Sequence, residues 1–215
     1  MTLLGQAYDK QCELCPRLVS HRAHIASQFA NYFNAPVNGF GSRNYRVLIV
    51  GLAPGLHGAH RTGRAFTGDA SGDVLFRCLH RAGLASLSRS ESRRDGLSLS
   101  ETRITNAVKC LPPGNRPTTE EARACQPYLI RELARLKRGG HVLALGKLAH
   151  DAVLRSLNLT MAAHAFGHGA VHALDGFTLV DTYHCSRLNM NTGRITETML
   201  QAVVDIVADA NGASS

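Results

Sequence analysis

The chain has 215 residues, 44% of them hydrophobic and 19% charged, which suits one packed domain over 1–215 and excludes disordered, collagen-like and low-complexity architectures. No apolar run approaches the roughly 20 residues that span a bilayer, and the opening MTLLGQAYDKQ lacks a basic stretch followed by an apolar core, so a cytoplasmic, nucleoid-associated protein with no membrane partner is expected. Twenty-four Lys and Arg against 16 acidic residues give a formal charge of +8, which attracts a polyanion such as nucleic acid. Only four of the basic residues are Lys, and Arg is the better bidentate phosphate ligand, although GC-rich coding bias would give the same excess.

Residues 1–45 open with Cys12-x2-Cys15 and form an N-terminal helical, cysteine-bearing segment. Arg46 to Val50 reads as a continuous apolar strand, followed by a glycine-rich loop and an amphipathic stretch over 72–84. The Ser/Arg-rich segment 86–100 reads as a solvated loop. Ile104 to Val108 is a second strand, and Thr118-x-x-Glu121 is a capping box that opens a helix over about 119–138. His141 to Leu145 is a third strand, Leu148 to Leu157 a helix, and Phe177 to Tyr183 a fourth strand. A final helix over about 194–209 and a frayed tail at 210–215 end the chain. Strand, loop and helix repeated four times predict a three-layer α/β/α sandwich with a central four-stranded parallel sheet, because parallel strands need crossover connections. In such sheets ligands bind beyond the carboxyl ends of the strands.

The first such loop holds six of the 20 glycines within residues 51–73, so its backbone can approach a ligand closely. It has neither the Gly-Lys-Ser/Thr ending of a nucleotide-triphosphate loop nor GxGxxG, so no nucleotide cofactor is expected. Cys12, Cys15, Cys110 and Cys125 can supply four thiolates to one centre. Zinc and an iron–sulfur cluster are both compatible with that spacing. Cys78 sits in an apolar helical pattern and reads as a small core hydrophobe.

The motifs GLAPG…HRTGRAFTGD, ITNAVKC and HCSRLNMNTGR, together with the four cysteines, resemble the uracil-DNA glycosylases that carry an iron–sulfur cluster, most closely family 5. The resemblance runs from Cys12 to about Thr198. Family 4 has Glu after the first glycine where this chain has Leu52, whereas Gly55 is more typical of family 4, and the usual His-Pro-Ser is here His184-Cys185-Ser186. The resemblance implies a structural 4Fe–4S cluster on Cys12, Cys15, Cys110 and Cys125, no catalytic metal, and a monomeric enzyme of base excision repair. Its implied substrate is DNA containing uracil and other deaminated bases, including purines.

The residue types fit that chemistry. Phe66 can stack on an extruded base, or else serve as a core aromatic. Asn106, at a strand end, can donate and accept at once, which matches a uracil edge, though a strand Asn can also be satisfied by backbone. Leaving uracil takes negative charge and the sugar becomes cationic, so a carboxylate and a donor are needed at opposite ends. Asp69 is the candidate for the sugar cation or its water, with a helix N-cap as the competing role. His184 is the candidate donor to the departing base. Gly51, Ala53, Pro54 and Gly55 would line the pocket. Arg61, Arg64, Arg187, Leu188, Asn191 and Arg194 would contact DNA, with Arg187 or Leu188 wedged into the gap left by the base. A non-catalytic metal-stabilised nucleic-acid-binding module would explain the charge and the cysteines, but would have no use for Asp69 and His184. A metal-dependent nuclease lacks the carboxylate cluster it needs.

Overall fold

The computed structural model describes residues 10–212. In chain order its elements are α1 (Pro16–Gln28), β1 (Phe40–Gly41), β2 (Tyr45–Gly51), α2 (Ala59–Thr62), α3 (Ala70–Arg81), β3 (Thr102–Asn106), α4 (Thr119–Leu133), β4 (Leu136–Leu145), α5 (Lys147–Ser156), β5 (Val171–Leu174), β6 (Phe177–Thr182), α6 (Arg187–Asn191) and α7 (Glu197–Gly212). The strands form one six-stranded sheet in the order β1-β3-β2-β4-β6-β5. The inner four are parallel and are the four strands expected from the sequence. Two short antiparallel strands, β1 and β5, extend the edges, so the sheet is mixed and larger than the four strands expected. They carry too little apolar alternation to stand out: residues 40–41 are only two long, and 171–174 is half exposed.

Period-two alternation explains the layers. Along β2, Val47 and Ile49 join one apolar cluster with Leu75, Phe76, Leu79, Val203 and Val204, the inward faces of α3 and α7. Leu48 and Val50 join the opposite cluster with Leu129, Leu133, Val153 and Leu154, from α4 and α5. Each strand residue is therefore buried under a helix whichever way it points, the condition that makes parallel strands continuously apolar. A third, smaller cluster of Leu18, Val108 and Cys125 joins α1 to the end of β3 and to α4.

Two helix boundaries differ from expectation. The capping box forms as expected, with Thr118 and Glu121 each accepting the other's backbone N–H. The helix it opens stops at Leu133 rather than near 138, because Leu136 pairs with Tyr45 and the register shifts before His141 meets Val47. Strand pairing overrides the helical pattern there. At the C-terminus α7 continues to Gly212, so helix replaces the expected tail over 210–212, and 213–215 lie outside the described residues. No helix among the described residues is long and apolar enough to cross a membrane.

Segment 86–100 is better anchored than its composition suggests. Arg64, expected at the DNA surface, is instead only 4% exposed. It donates from Nη1 to Asp95 Oδ1 at 3.0 Å, pairs through Nη2 with Asp95 Oδ2, and reaches Ser90 Oγ at 2.7 Å and Thr67 Oγ1 at 3.0 Å. Its donors are consumed inside the protein, which corrects its assignment as a DNA ligand. Burial alone would raise the Asp95 pKa. The Arg64 guanidinium and the N–H groups of Leu97, Glu91 and Ser92 outweigh it and hold the carboxyl well below its ordinary range.

Losing one partner of a buried ion pair leaves the other desolvated and alone, typically costing about 3–5 kcal/mol. Asp95→Asn should lower stability by an amount of that order in denaturant titrations. A carboxyl with a depressed folded-state pKa contributes in full above its unfolded value of 3.8, and the contribution disappears as pH falls below it. The gap between wild type and Asp95→Asn should therefore narrow as the pH is lowered from neutral through this range, and a constant gap would contradict the pair's role.

Candidate active site

The carboxyl ends of β2, β4 and β6 border one cavity, lined among others by Leu52, Leu145, Gly146, Tyr183 and His184, and β3 ends beside β2. At the first, Gly51 pairs in register with Asn106 at the end of β3. A Cβ on residue 51 would lie 2.5 Å from Asn106 Oδ1 and 2.6 Å from Phe66 Cζ, so glycine is what lets the amide and the ring share this space. Asn106 is 3% exposed, and its Oδ1 is buried with no hydrogen-bond partner. Such an orphan is rare in native proteins, and it asks for an explanation in ligand or water.

Asn106 is held from behind by a residue the sequence analysis passed over. Lys109 is 2% exposed, and its Nζ donates to the Asn106 carbonyl at 2.6 Å, to Thr105 Oγ1 at 2.6 Å and to Glu132 Oε2 at 2.8 Å. A lysine three residues beyond the strand end, in a chain with only four lysines, was the available signal.

Phe66 forms the aromatic wall. It is 7% exposed and belongs to the main cluster, as the core reading expects. Its φ of +52° is unusual for a bulky residue and marks strain of the kind stored at functional sites. The turn is clamped by Gly72, where a Cβ would lie 2.1 Å from the Phe66 carbonyl oxygen. The Phe66 ring centroid is 6.1 Å from that of His184.

Asp69 takes the helix-cap role with one of its two carboxylate oxygens. It is the N-cap of α3, Oδ1 accepting the Gly72 N–H at 2.9 Å. Oδ2 faces Gly58, where a Cβ would lie 1.9 Å away, and Gly55, where it would lie 3.8 Å away. Pro54 is buried. Ala53 packs toward the cluster of Leu18, Val108 and Cys125, so its methyl group serves that contact.

His184 follows β6, its carbonyl accepting from Asn189 Nδ2 at 2.8 Å. Burial lowers its pKa, and the nearby Asp69 charge only partly opposes this, which favours a neutral imidazole, a donor at one nitrogen only. Gly146, with φ +94° and a would-be Cβ 3.3 Å from the His184 Cβ, lets the ring's backbone approach β4. Cys185 is fully buried, and its Sγ donates to the Ser71 carbonyl at 3.5 Å. Burial pushes its thiol up to about 12, so it stays protonated and tethers the His184 loop to the first turn of the helix that Asp69 caps.

The proposed DNA side is mixed. Arg61 is exposed but fastened to its own loop, donating to the His57 carbonyl at 2.6 Å and the Gly68 carbonyl at 3.1 Å. Arg187 and Leu188 begin α6, which Ser186 caps. Leu188, at 72%, is the most exposed large hydrophobic side chain among the described residues. Asn191 and Arg194 are exposed, with the Arg194 guanidinium 4.9 Å above the Tyr183 ring.

The four cysteines lie together away from the crevice. Cys12, Cys15, Cys110 and Cys125 line one apolar cavity with Leu18 and Val108. Arg22 Nη1 donates to Cys110 Sγ at 3.5 Å, and the Lys109 N–H donates to Cys125 Sγ at 3.4 Å. Among the described residues, His150, His172 and Asp181 bring three potential ligating atoms within 4.8 Å of one another. His150 and His172 both bond to the Asp181 carboxylate, at 2.8 and 3.0 Å, and pin α5 and β5 to β6.

Residues 38–208 match the family description "Uracil DNA glycosylase superfamily". The chain belongs to the uracil DNA glycosylase superfamily. Among curated relatives, the Type-5 uracil-DNA glycosylase of Pyrobaculum aerophilum is 46% identical, covering 93% of this chain and 89% of the relative. That of Thermus thermophilus is 45% identical, covering 90% of each. A Type-4 uracil-DNA glycosylase from Pyrobaculum aerophilum is more distant, at 36% identity over 67% of this chain and 60% of the relative. The stronger likeness to Type-5 members agrees with Leu52 in the first motif.

If the shared space at Gly51 organises this glycosylase fold's pocket, Gly51→Ala should overpack it and cost about 1–3 kcal/mol in denaturant unfolding. In a Phe66→Ala background the same substitution should cost at least about 0.5 kcal/mol less, since residues in contact couple by that much or more. An equal cost in both backgrounds would show that the ring does not constrain residue 51.

Proposed function

We propose that the protein is a monofunctional uracil-DNA glycosylase, which hydrolyses the bond between uracil and deoxyribose and leaves an abasic site for base excision repair. Membership of the superfamily and the likeness to Type-5 enzymes support the activity. Within the structure, the reading rests on the buried, unpartnered Asn106 Oδ1 beside the Phe66 ring.

The extruded base enters the crevice after an unstacking cost of a few kcal/mol. Stacking on Phe66, roughly 1–3 kcal/mol by analogy with other base–aromatic contacts, offsets much of it. Asn106 reads the edge, Oδ1 accepting from uracil N3–H and the amide nitrogen donating to O4. Adenine's N6 amino group would meet the amide nitrogen with donor against donor. As the C1′–N1 bond lengthens, its electron pair moves to the base, and the neutral His184 imidazole donates an N–H toward O2, where that charge gathers. The free oxygen of Asp69 supports the cationic sugar or orients the water that adds at C1′. Leu188 fills the gap in the stack, and Arg61, Arg187, Asn191 and Arg194 hold the backbone. Other deaminated bases fit the same logic where their edges present an acceptor beside a donor.

The cysteine set is read as the holder of a 4Fe–4S cluster, as the family resemblance implies. What supports this is four thiols around one apolar cavity and two N–H donors aimed at sulfur. Cys12, Cys15, Cys110 and Cys125 would hold the cluster, which ties α1 to the β3–α4 connection and supplies structure rather than catalysis.

Protein purified with exclusion of air should be brown, with broad absorbance near ~400 nm from iron–thiolate ligation. Cys110→Ser should lose the colour and Cys78→Ser should keep it; colourless protein with one zinc per chain would overturn the cluster. On a uracil-containing duplex under single-turnover conditions, Asp69→Asn and His184→Ala should each be slowed at least ~10-fold, up to the ~10²–10³ typical of a lost transition-state donor, with DNA affinity nearly unchanged. Wild-type rates in both would place the chemistry elsewhere.

A further inference from the structure

Segment 86–100 is fastened to the catalytic loop at several points. The Gly68 N–H, one residue before Asp69, donates to the Ser90 carbonyl at 3.0 Å, and the Thr67 and Ser90 hydroxyls meet at 2.6 Å. Asp95 gathers the N–H groups of Glu91, Ser92 and Leu97 around the carboxylate that Arg64 neutralises. Its base is closed by Ser86 N–H to the Ser98 carbonyl and Ser100 N–H to the Leu84 carbonyl, each 3.0 Å. A Ser/Arg-rich stretch that composition alone would leave solvated is thus a preformed hairpin.

This hairpin displays Arg89, Arg93 and Arg94. All three are exposed, and none takes part in an ion pair among the described residues. Arg93 lies 5.2 Å above the Phe33 ring, and that ring abuts Gly63 of the catalytic loop, where a Cβ would lie 2.6 Å away. Asp95 is spent on Arg64, which leaves Glu91 as the only other acid in the hairpin. Three unpaired guanidinium groups on a rigid mount bind phosphate without the ordering cost that a flexible basic tail carries.

We propose that the 86–97 hairpin is a second DNA-backbone clamp, in which Arg89, Arg93 and Arg94 hold phosphates of the duplex beside the extruded nucleotide. It rests on the glycosylase reading only for the purpose of the grip; the phosphate contacts stand apart from the chemistry. Because Ser90 is bonded to the residue before Asp69, the clamp sets duplex position relative to the catalytic carboxylate.

The test measures binding to a plain, uracil-free duplex by fluorescence anisotropy across about 50–200 mM salt. Arg89→Ala/Arg94→Ala is compared with Arg135→Ala/Arg138→Ala, a pair at the opposite end of the sheet from the crevice. Both variants lower the formal charge from +8 to +6. The hairpin variant should flatten the slope of log K against log salt by about two units, at about 0.9 per lost phosphate contact, while the distant pair leaves it nearly unchanged. Equal slopes in the two variants, or no duplex binding by wild type, would overturn the clamp. Uracil excision by the wild type is measured separately, so absence of excision with a flattened hairpin slope would remove the glycosylase reading and leave the clamp standing.

Discussion

The crevice depends on the absence of a side chain at residue 51. The end of β2 comes so close to the end of β3 that a single methyl would collide with both the Asn106 amide and the Phe66 ring. With no side chain there, the Phe66 ring and the Asn106 amide both reach the end of β2. The rest of the loop serves this closeness. It returns through a left-handed Phe66, pressed against a second glycine at 72, and then into the helix that Asp69 caps.

The local economy of Asp69 is instructive. A helix start needs an acceptor for its free N–H groups, and a carboxylate satisfies that need with one oxygen. The second oxygen is left over, and Gly58 makes room for it. The cap therefore fixes where the second oxygen points, and the catalytic role proposed for that oxygen depends on it. His184 is tethered to the same helix through Cys185 and Ser71, so the two proposed catalytic groups share one mount. Against this order stands the orphaned Asn106 oxygen, a buried acceptor of the kind that costs roughly 1–3 kcal/mol when unsatisfied. Lys109, itself paired with Glu132, holds the Asn106 backbone carbonyl and leaves that side-chain oxygen unsatisfied.

The parallel centre of the sheet was legible because continuous apolar strands and a capping box are local signals, and the α/β class follows from their alternation. Edge strands β1 and β5 were not, being short and half exposed, and the end of α4 was decided by strand pairing with Tyr45, a long-range fact. In the site, Asp69, Asn106, Phe66 and His184 were singled out from their positions after strands and from the family resemblance; the structure sets the Asn106 amide and the Phe66 ring about Gly51, with the His184 ring 6.1 Å from that of Phe66. Arg64 was misjudged because a loop arginine beside glycines reads as a phosphate ligand; its partner Asp95 is 31 residues away. Lys109 and the hairpin at 86–97 were missed for the same reason. Their meaning lies in tertiary hydrogen bonds that no spacing rule encodes.

The most direct measurement is a crystal structure of the protein with a duplex carrying a 2′-fluoro deoxyuridine, whose glycosidic bond resists cleavage. The account places the extruded uracil face to face with Phe66, its N3–H and O4 edge on the Asn106 amide, His184 toward O2, and an Asp69 oxygen on the sugar side. A base held elsewhere, or an Asn106 amide left without contact to it, would contradict the account.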